Sequence, residues 1–306
     1  MISEKFKIRL KETAHQAKRE GAGYLFIAPF MILFILFTVL PVLISVVLSF
    51  TYYNVLEAPS FIGWENYTRL ILNDDVFLQA VKNTFVYACI TGPVGYFASF
   101  ILAWLLCEMG PTIRSILVFI FYIPSMSSSM YVIWSYLFSS DSYGFINSML
   151  LKVGIINSPI LWLQNSKYIL AIIILASLWM SLGTSFLTFV AGIQSFDKTL
   201  LEAGAVDGIR NRFQELWYIT LPTMRPQLMF TAVITIAQAF SVSDIAMNLA
   251  GLPSVEYAGH TIVTHLLDYG NIRFEMGYAC SIASVLFVIM ITANKLITMF
   301  IRRIGK

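Results

Sequence analysis

Long runs without Asp, Glu, Lys or Arg alternate with shorter polar stretches along the whole chain. The first, Gly21 to Leu56, carries no charge. Five more follow: Asn83–Cys107, Ser115–Ser140, Tyr168–Phe196, Pro226–Ser243 and Met276–Asn294. A helix needs about 20 apolar residues to cross the hydrocarbon of a bilayer. The pattern therefore predicts six transmembrane helices, the first at about 24–50 and the fifth continuing past Asp244 to about Asn248. Pro29 and Pro41 are expected to kink the first, which lipid tolerates when neighbours satisfy the freed carbonyls. Gly21 to Leu56 is too long for the core of a cleavable signal, and no small-residue cleavage site closes it.

Composition narrows the class. The chain has 306 residues, 58% hydrophobic and 12% charged, against about 25% charged in a soluble domain. It reads as a single all-α membrane domain, 1–306, with a basic segment at 1–20. That segment holds Lys5, Lys7, Arg9, Lys11, Lys18 and Arg19. Lysine and arginine set orientation. With the N-terminus inside, the inner segments hold fourteen of them and the outer segments five, with Lys295 near the inner interface, where it can snorkel. N-terminus in and C-terminus in is the orientation this predicts. The outer segments 51–82, 139–167 and 251–274 are long enough to shape a surface but not to fold alone. Cys89, Cys107 and Cys280 fall in apolar runs without paired spacing and are expected to be buried free thiols. His260 and His265 are five apart, off a common helical face, and are read as having no acidic escort, so no metal set is predicted.

Lys198 to Pro226 breaks the pattern, because it carries both charge signs between two membrane-length runs. Leu200, Leu201, Ala203, Ala205, Val206 and Ile209 suggest one short helix with an apolar side. Gly208 is placed to stop it, since glycine takes the left-handed conformation freely. Phe213, Leu216, Trp217 and Ile219 give a second apolar patch, which Pro222 is expected to end. Within this stretch stand Glu202-Ala203-Gly204, then Asp207-Gly208, then Leu221-Pro222. The order resembles the EAA loop of binding-protein-dependent ATP-binding-cassette importer permeases, with Gly204 for the second Ala and Ile209 where Ala often follows. The segment FIGWENY at 61–67 also resembles the first external loop of sugar-type members. As an interfacial aromatic belt it is equally intelligible.

The resemblance implies a type I importer permease fold of six helices, with 198–226 as the cytoplasmic coupling loop. It implies a non-catalytic subunit that works with a second homologous permease, two ATPase subunits that bind ATP and Mg, and an extracytoplasmic solute-binding protein. Its place would be the cytoplasmic membrane of a prokaryote, and its cargo, by likeness to maltose-type members, a sugar or oligosaccharide. Glu202, Ala203, Gly204, Asp207, Gly208, Phe213, Trp217, Leu221 and Pro222 would form the ATPase contact. The chain itself has no G-x-x-x-x-G-K-S/T stretch, no nucleophile–base set, no carboxylate pair and nothing suited to nucleic acid. Polar residues inside the runs are costly, so their places inform. Ser125, Ser181, Thr184, Gln238, Ser241 and Asp244 match by position the lining of the maltose-type cavity. Their types suit a neutral polyhydroxylated ligand. Close helix packing explains the serines and threonine equally well. The remaining alternatives are a permease for amino acids, polyamines or phosphate, a lone carrier or channel, and a membrane-embedded lipid or isoprenoid enzyme. For the enzyme, Asp74-Asp75 would be the only adjacent acidic pair.

Overall fold

The computed structural model describes residues 21–304, and the predicted basic segment 1–20 lies outside the described residues. Helix α1 (Leu25–Leu48) leads through a small antiparallel hairpin, β1 (Thr51–Tyr52) and β2 (Ser60–Phe61), to α2 (Glu65–Leu72) and the long α3 (Asp75–Cys107). Next come α4 (Pro111–Met126), α5 (Tyr131–Leu137), α6 (Phe145–Val153), α7 (Ser166–Met180) and α8 (Thr184–Gln194). Two short helices, α9 (Lys198–Val206) and α10 (Arg212–Glu215), precede α11 (Arg225–Phe240) and α12 (Asp244–Ala250). The chain closes with α13 (Ile262–Leu267) and α14 (Met276–Ile304).

Among the described residues, five helices are long and apolar enough to cross a membrane: α1, α3, α7 with α8, α11 with α12, and α14. The third predicted span is not one straight helix. It divides into α4 and α5, bent by 82°. Ser127 is extended (φ −135°, ψ 126°), and its side chain accepts the Ser129 N–H, so the serines after Pro124 bond locally instead of continuing the ladder. The second span starts at Asp75, eight residues before the uncharged run, because Asp74 caps it.

Prolines are absorbed rather than obeyed. Pro41 offers no N–H to the carbonyl four residues back. A π-turn over Ile35–Val39, closed by Leu40 N–H to the Ile35 carbonyl, widens α1 just ahead of it.

Helix α3 is the central element and packs against α7, α8 and α11, while α14 packs against α11 and the end of α1. Small residues permit the crossings: a Cβ on Gly95 would sit 3.1 Å from Ser181 Oγ, and one on Gly183 3.1 Å from Ser125 Cβ. The ends of the polar segments are pinned by buried amides. Asn66 donates to the Ser49 and Thr51 carbonyls at 2.9 Å, and Asn147 holds Ser139, Asp141, Ile160 and Trp162 together. FIGWENY is thus a structural clamp on the end of α1: Trp64 and Tyr67 also pack on Phe50. All three cysteines are free as expected, but Cys89 is exposed and the other two only half-buried.

Candidate functional site

The polar stretch between α8 and α11 builds its own turn. Asp197 starts α9 by accepting the Thr199 N–H at 3.0 Å, and that bond holds its carboxyl below the ordinary carboxylate range. Gly208 stops α9, as expected. Its φ is +95°, and Ile209 N–H bonds the Gly204 carbonyl at 2.9 Å while Gly208 N–H bonds that of Ala205 at 3.3 Å. These are the paired bonds of a glycine-terminated helix. Asn211 then caps α10 through Gln214 N–H at 2.8 Å, and Gln214 Oε1 accepts Arg210 N–H at 2.9 Å.

Pro222 does not end the second helix. A π-turn over Leu216–Thr220, with Leu221 N–H on the Leu216 carbonyl, lets the helix run through Leu221–Thr223. The chain turns instead at buried Met224 (φ −82°, ψ 4°), after which Pro226 sits in the first turn of α11.

The predicted apolar side of α9 is split. Gly204 is buried and Leu201 and Ile209 half-buried, whereas Leu200, Ala203, Ala205 and Val206 face outward with Glu202, Asp207 and Gly208. A nine-residue helix has room for two faces, and the chain covers only one. Phe213 and Trp217 extend the outward surface at 74% and 66% exposure, and Pro222 is also exposed while Leu221 is half-buried. Leu201, Ile209, Arg210, Arg212 and Glu215 line a groove of about 410 Å³ between α9 and α10. The loop is tied to the far end of α3 by Arg212 Nε to Glu108 Oε1 at 3.6 Å and by the Phe213 and Trp104 rings at 5.8 Å.

The polar residues of the spans fall into two sets. Ser125 and Ser181 are half-buried against Gly183 and Gly95, and their hydroxyls bond the Tyr122 and Leu178 carbonyls of their own helices. Thr184, Gln238, Ser241 and Asp244 are exposed. Gln238 lies in the last turn of α11, Ser241 caps it, and Ser243 (φ −143°, ψ −57°) breaks the helix before Asp244 opens α12. Ser241 and Asp244 therefore do not share one continuous helix face.

A protein-family model described as "Binding-protein-dependent transport system inner membrane component" matches residues 95–306, which include both the loop and these spans. The chain belongs to that family. This permease is 35% identical over 287 residues to "Probable ABC transporter permease protein YesP" of Bacillus subtilis (strain 168), covering 92% of this chain and 90% of that protein. It is 31% identical over 279 residues to "Arabinooligosaccharides transport system permease protein AraP" of the same organism, covering 90% and 87%. Its fold superposes on a bacterial ABC transporter solved for import of the acidic polysaccharide alginate, with a TM-score of 0.78, 22% identity, and 96% and 100% coverage. The permease is thus a non-catalytic, membrane-embedded transport subunit.

Sequence reasoning passed over one part of the permease. The acidic escort of His260 and His265 exists: it is Asp74, 191 residues before His265. Asn83 and Thr84, read only as the start of a run, are buried and hold the segment before α13. Buried polar residues at the head of a membrane helix were the available signal.

Proposed function

We propose that this permease subunit translocates a neutral sugar or oligosaccharide by alternating access, driven by ATP hydrolysis on partner subunits. The observation that carries the reading is the outward apolar face of α9 and α10 around the Gly208 turn, uncovered by any other part of the described chain. Amphipathic helices with such a face dock in grooves of partner domains. The proposed assembly is this chain, a second homologous permease, two ATPase subunits against the loop and a solute-binding protein on the opposite side. Six spans with both termini inside the cytoplasmic membrane of a prokaryote accord with the charge distribution, counting α4 and α5 as one broken span. ATP and Mg belong to the ATPase subunits. Glu202, exposed beside Ala203, is offered to a basic group there.

The carbohydrate cargo rests on two supports. AraP is named for arabinooligosaccharides. The run Pro226–Asn248 exposes two amides, a hydroxyl and one carboxylate, and contains no Lys or Arg that would favour an anion. Thr184, Gln238, Ser241 and Asp244 are the better cavity residues. Ser125 and Ser181 already have hydrogen-bond partners and serve packing.

Replacing Gly208 with Val tests the coupling role cleanly. Nothing lies within 4 Å of a Cβ there, so only the positive φ is strained, by about 1–2 kcal/mol. In the reconstituted complex, Gly208→Val and Glu202→Lys are expected to abolish stimulation of ATP hydrolysis by loaded binding protein while the chain still inserts. Full stimulation and uptake in both variants would refute the role.

A further inference from the structure

At the end of α3 remote from the coupling loop, four buried polar side chains form a line. Asp74 Oδ1 accepts the Phe77 N–H at 2.8 Å, and its Oδ2 accepts the Tyr278 hydroxyl of α14 at 2.6 Å. The same Oδ2 lies 3.0 Å from His265 Nε2, and His265 Nδ1 lies 3.1 Å from His260 Nε2. Both histidines are 1% exposed and Asp74 is 8% exposed. His260 Nδ1, at the end of the line, is buried without a partner.

An ionised carboxylate only accepts, so His265 Nε2 and Tyr278 both donate to Asp74. With two neutral imidazoles, His260 then donates Nε2–H to His265 Nδ1, and His260 Nδ1 is left as a bare lone pair. A further proton enters there. It creates an N–H with no acceptor and a positive charge shared between two rings in contact. An unpartnered buried donor is worth about 1–3 kcal/mol of penalty.

The charged surroundings relieve it only in part, since Asp268 and Asp74 favour the charge while Arg273 opposes it. Asp268 is paired with Arg273 at 2.8 Å, and Arg69 with Glu275 at 2.6 Å. Arg69 covers the Tyr278 ring, Arg273 the Tyr269 ring, and Tyr257 and Tyr269 flank the two imidazoles. Asp74 is the one acid of the group whose partners are only the histidine line, Tyr278 and a backbone N–H. The segment that would move is well defined. Asn83 holds the Tyr257 and His260 carbonyls at 2.9 Å, and Thr84 accepts the Ile262 N–H at 2.9 Å, so His260 is bound to α3 on both sides.

We propose that His260 Nδ1 is a proton-binding site whose occupation releases the segment between α12 and α14 from the heads of α3 and α14, making transport respond to external acidity. The word external rests on the orientation proposed above. Burial, then the neighbouring His265, push the His260 imidazole down to about 4 from the ordinary 6.5. The released form therefore takes the proton first. The closed form loses stability as pH falls from 6.5 towards 4, by at most about tenfold in its population ratio per pH unit.

The test uses the whole complex in proteoliposomes, with internal pH fixed at neutrality and external pH stepped down. Wild-type uptake is expected to fall along an acid limb of up to about tenfold per pH unit. His260→Gln keeps an amide donor in place of Nε2–H and has no titrating nitrogen. It is expected to hold the neutral-pH rate within about twofold and to lose that limb. An acid limb identical in wild type and His260→Gln, or absent from both, overturns the proposal. The melting midpoint of the purified complex gives a second reading that needs no transport. It should drop with acid in wild type and stay flatter in His260→Gln, and parallel drops overturn the site. Absence of wild-type uptake at every pH would count against the importer reading instead, with the melting comparison still deciding this one.

Discussion

Gly204 and its two isoleucines show how a departure from a family pattern is made good locally. A Cβ on Gly204 would lie 2.5 Å from Ile219 Cδ1 and 3.1 Å from Ile209 Cδ1. The space that a methyl at Gly204 would take is filled by the two isoleucines. Gly204→Ala is expected to overpack this contact by about 1–3 kcal/mol and to lower coupled ATPase activity. Trimming the offending atom, in Gly204→Ala with Ile219→Val, should restore most of the loss. A double-mutant cycle on stimulated ATP hydrolysis measures it, and strictly additive effects would show that the two sites do not touch. Asp74 poses the matching problem at the other end. Its carboxyl is held well below the usual range against the opposing effect of burial, by the bonds from His265, Tyr278 and Phe77 N–H. Its contribution is thus present above the ordinary 3.8 and is lost only in stronger acid, below the window where His260 acts. Asp74→Asn turns an acceptor into a donor facing two donors. A loss of about 1–3 kcal/mol is expected in detergent melting at neutral pH.

Among the elements, the paired features are the π-turns ahead of Leu40-Pro41 and Leu221-Pro222. Proline's missing N–H was legible in the sequence, but its consequence was not. A stop and a π-turn satisfy the same local chemistry, and packing of Leu216 and Leu221 against Phe186, Phe189 and Met224 decides for continuation. The same limit explains the rest. Runs without charge mark helices apolar enough to cross lipid, so five of the six expected spans stand as long helices among the described residues, and Gly208 was readable because one residue's φ decides the turn. The bend between α4 and α5, the split face of α9 and the Asp74–His265 contact depend on partners distant in sequence, which local pattern does not encode. The π-turn yields a prediction. It inserts one residue into the helix between α10 and α11, and removing it would rotate α10 by about 100° relative to α11. Pro222→Ala restores the missing N–H and lets the segment tighten. Membrane insertion should be normal, but stimulation of ATP hydrolysis should fall several-fold, because Phe213 and Trp217 would point elsewhere. Unaltered stimulation would mean the π-turn is held by packing alone.

For the molecule as a whole, one binary choice fixes the meaning of every site. Helix α3 has 33 residues and so is about 50 Å long, more than the roughly 30 Å of bilayer hydrocarbon. As a spanning helix it is long enough to carry its ends to opposite aqueous sides. Glu108, just past its last turn, contacts Arg212 of the proposed coupling loop, and Asp74 at its head carries the histidine line. If the loop is inside, the proton site is outside, and neither assignment can change alone. The basic residues favour that orientation, and labelling can check it. In a background with Cys89, Cys107 and Cys280 replaced by Ala, single cysteines are placed at Leu56, 92% exposed beside β2, and at Tyr218, 67% exposed on the loop. A membrane-impermeant maleimide applied to intact cells should modify Leu56→Cys and spare Tyr218→Cys until the membrane is opened. The reverse result would put the coupling face where no ATP is available and would dispose of both the coupling role and the external proton site. Three of the predicted spans separate the two positions along the chain, so labelling of both from the same side would contradict the spanning assignment.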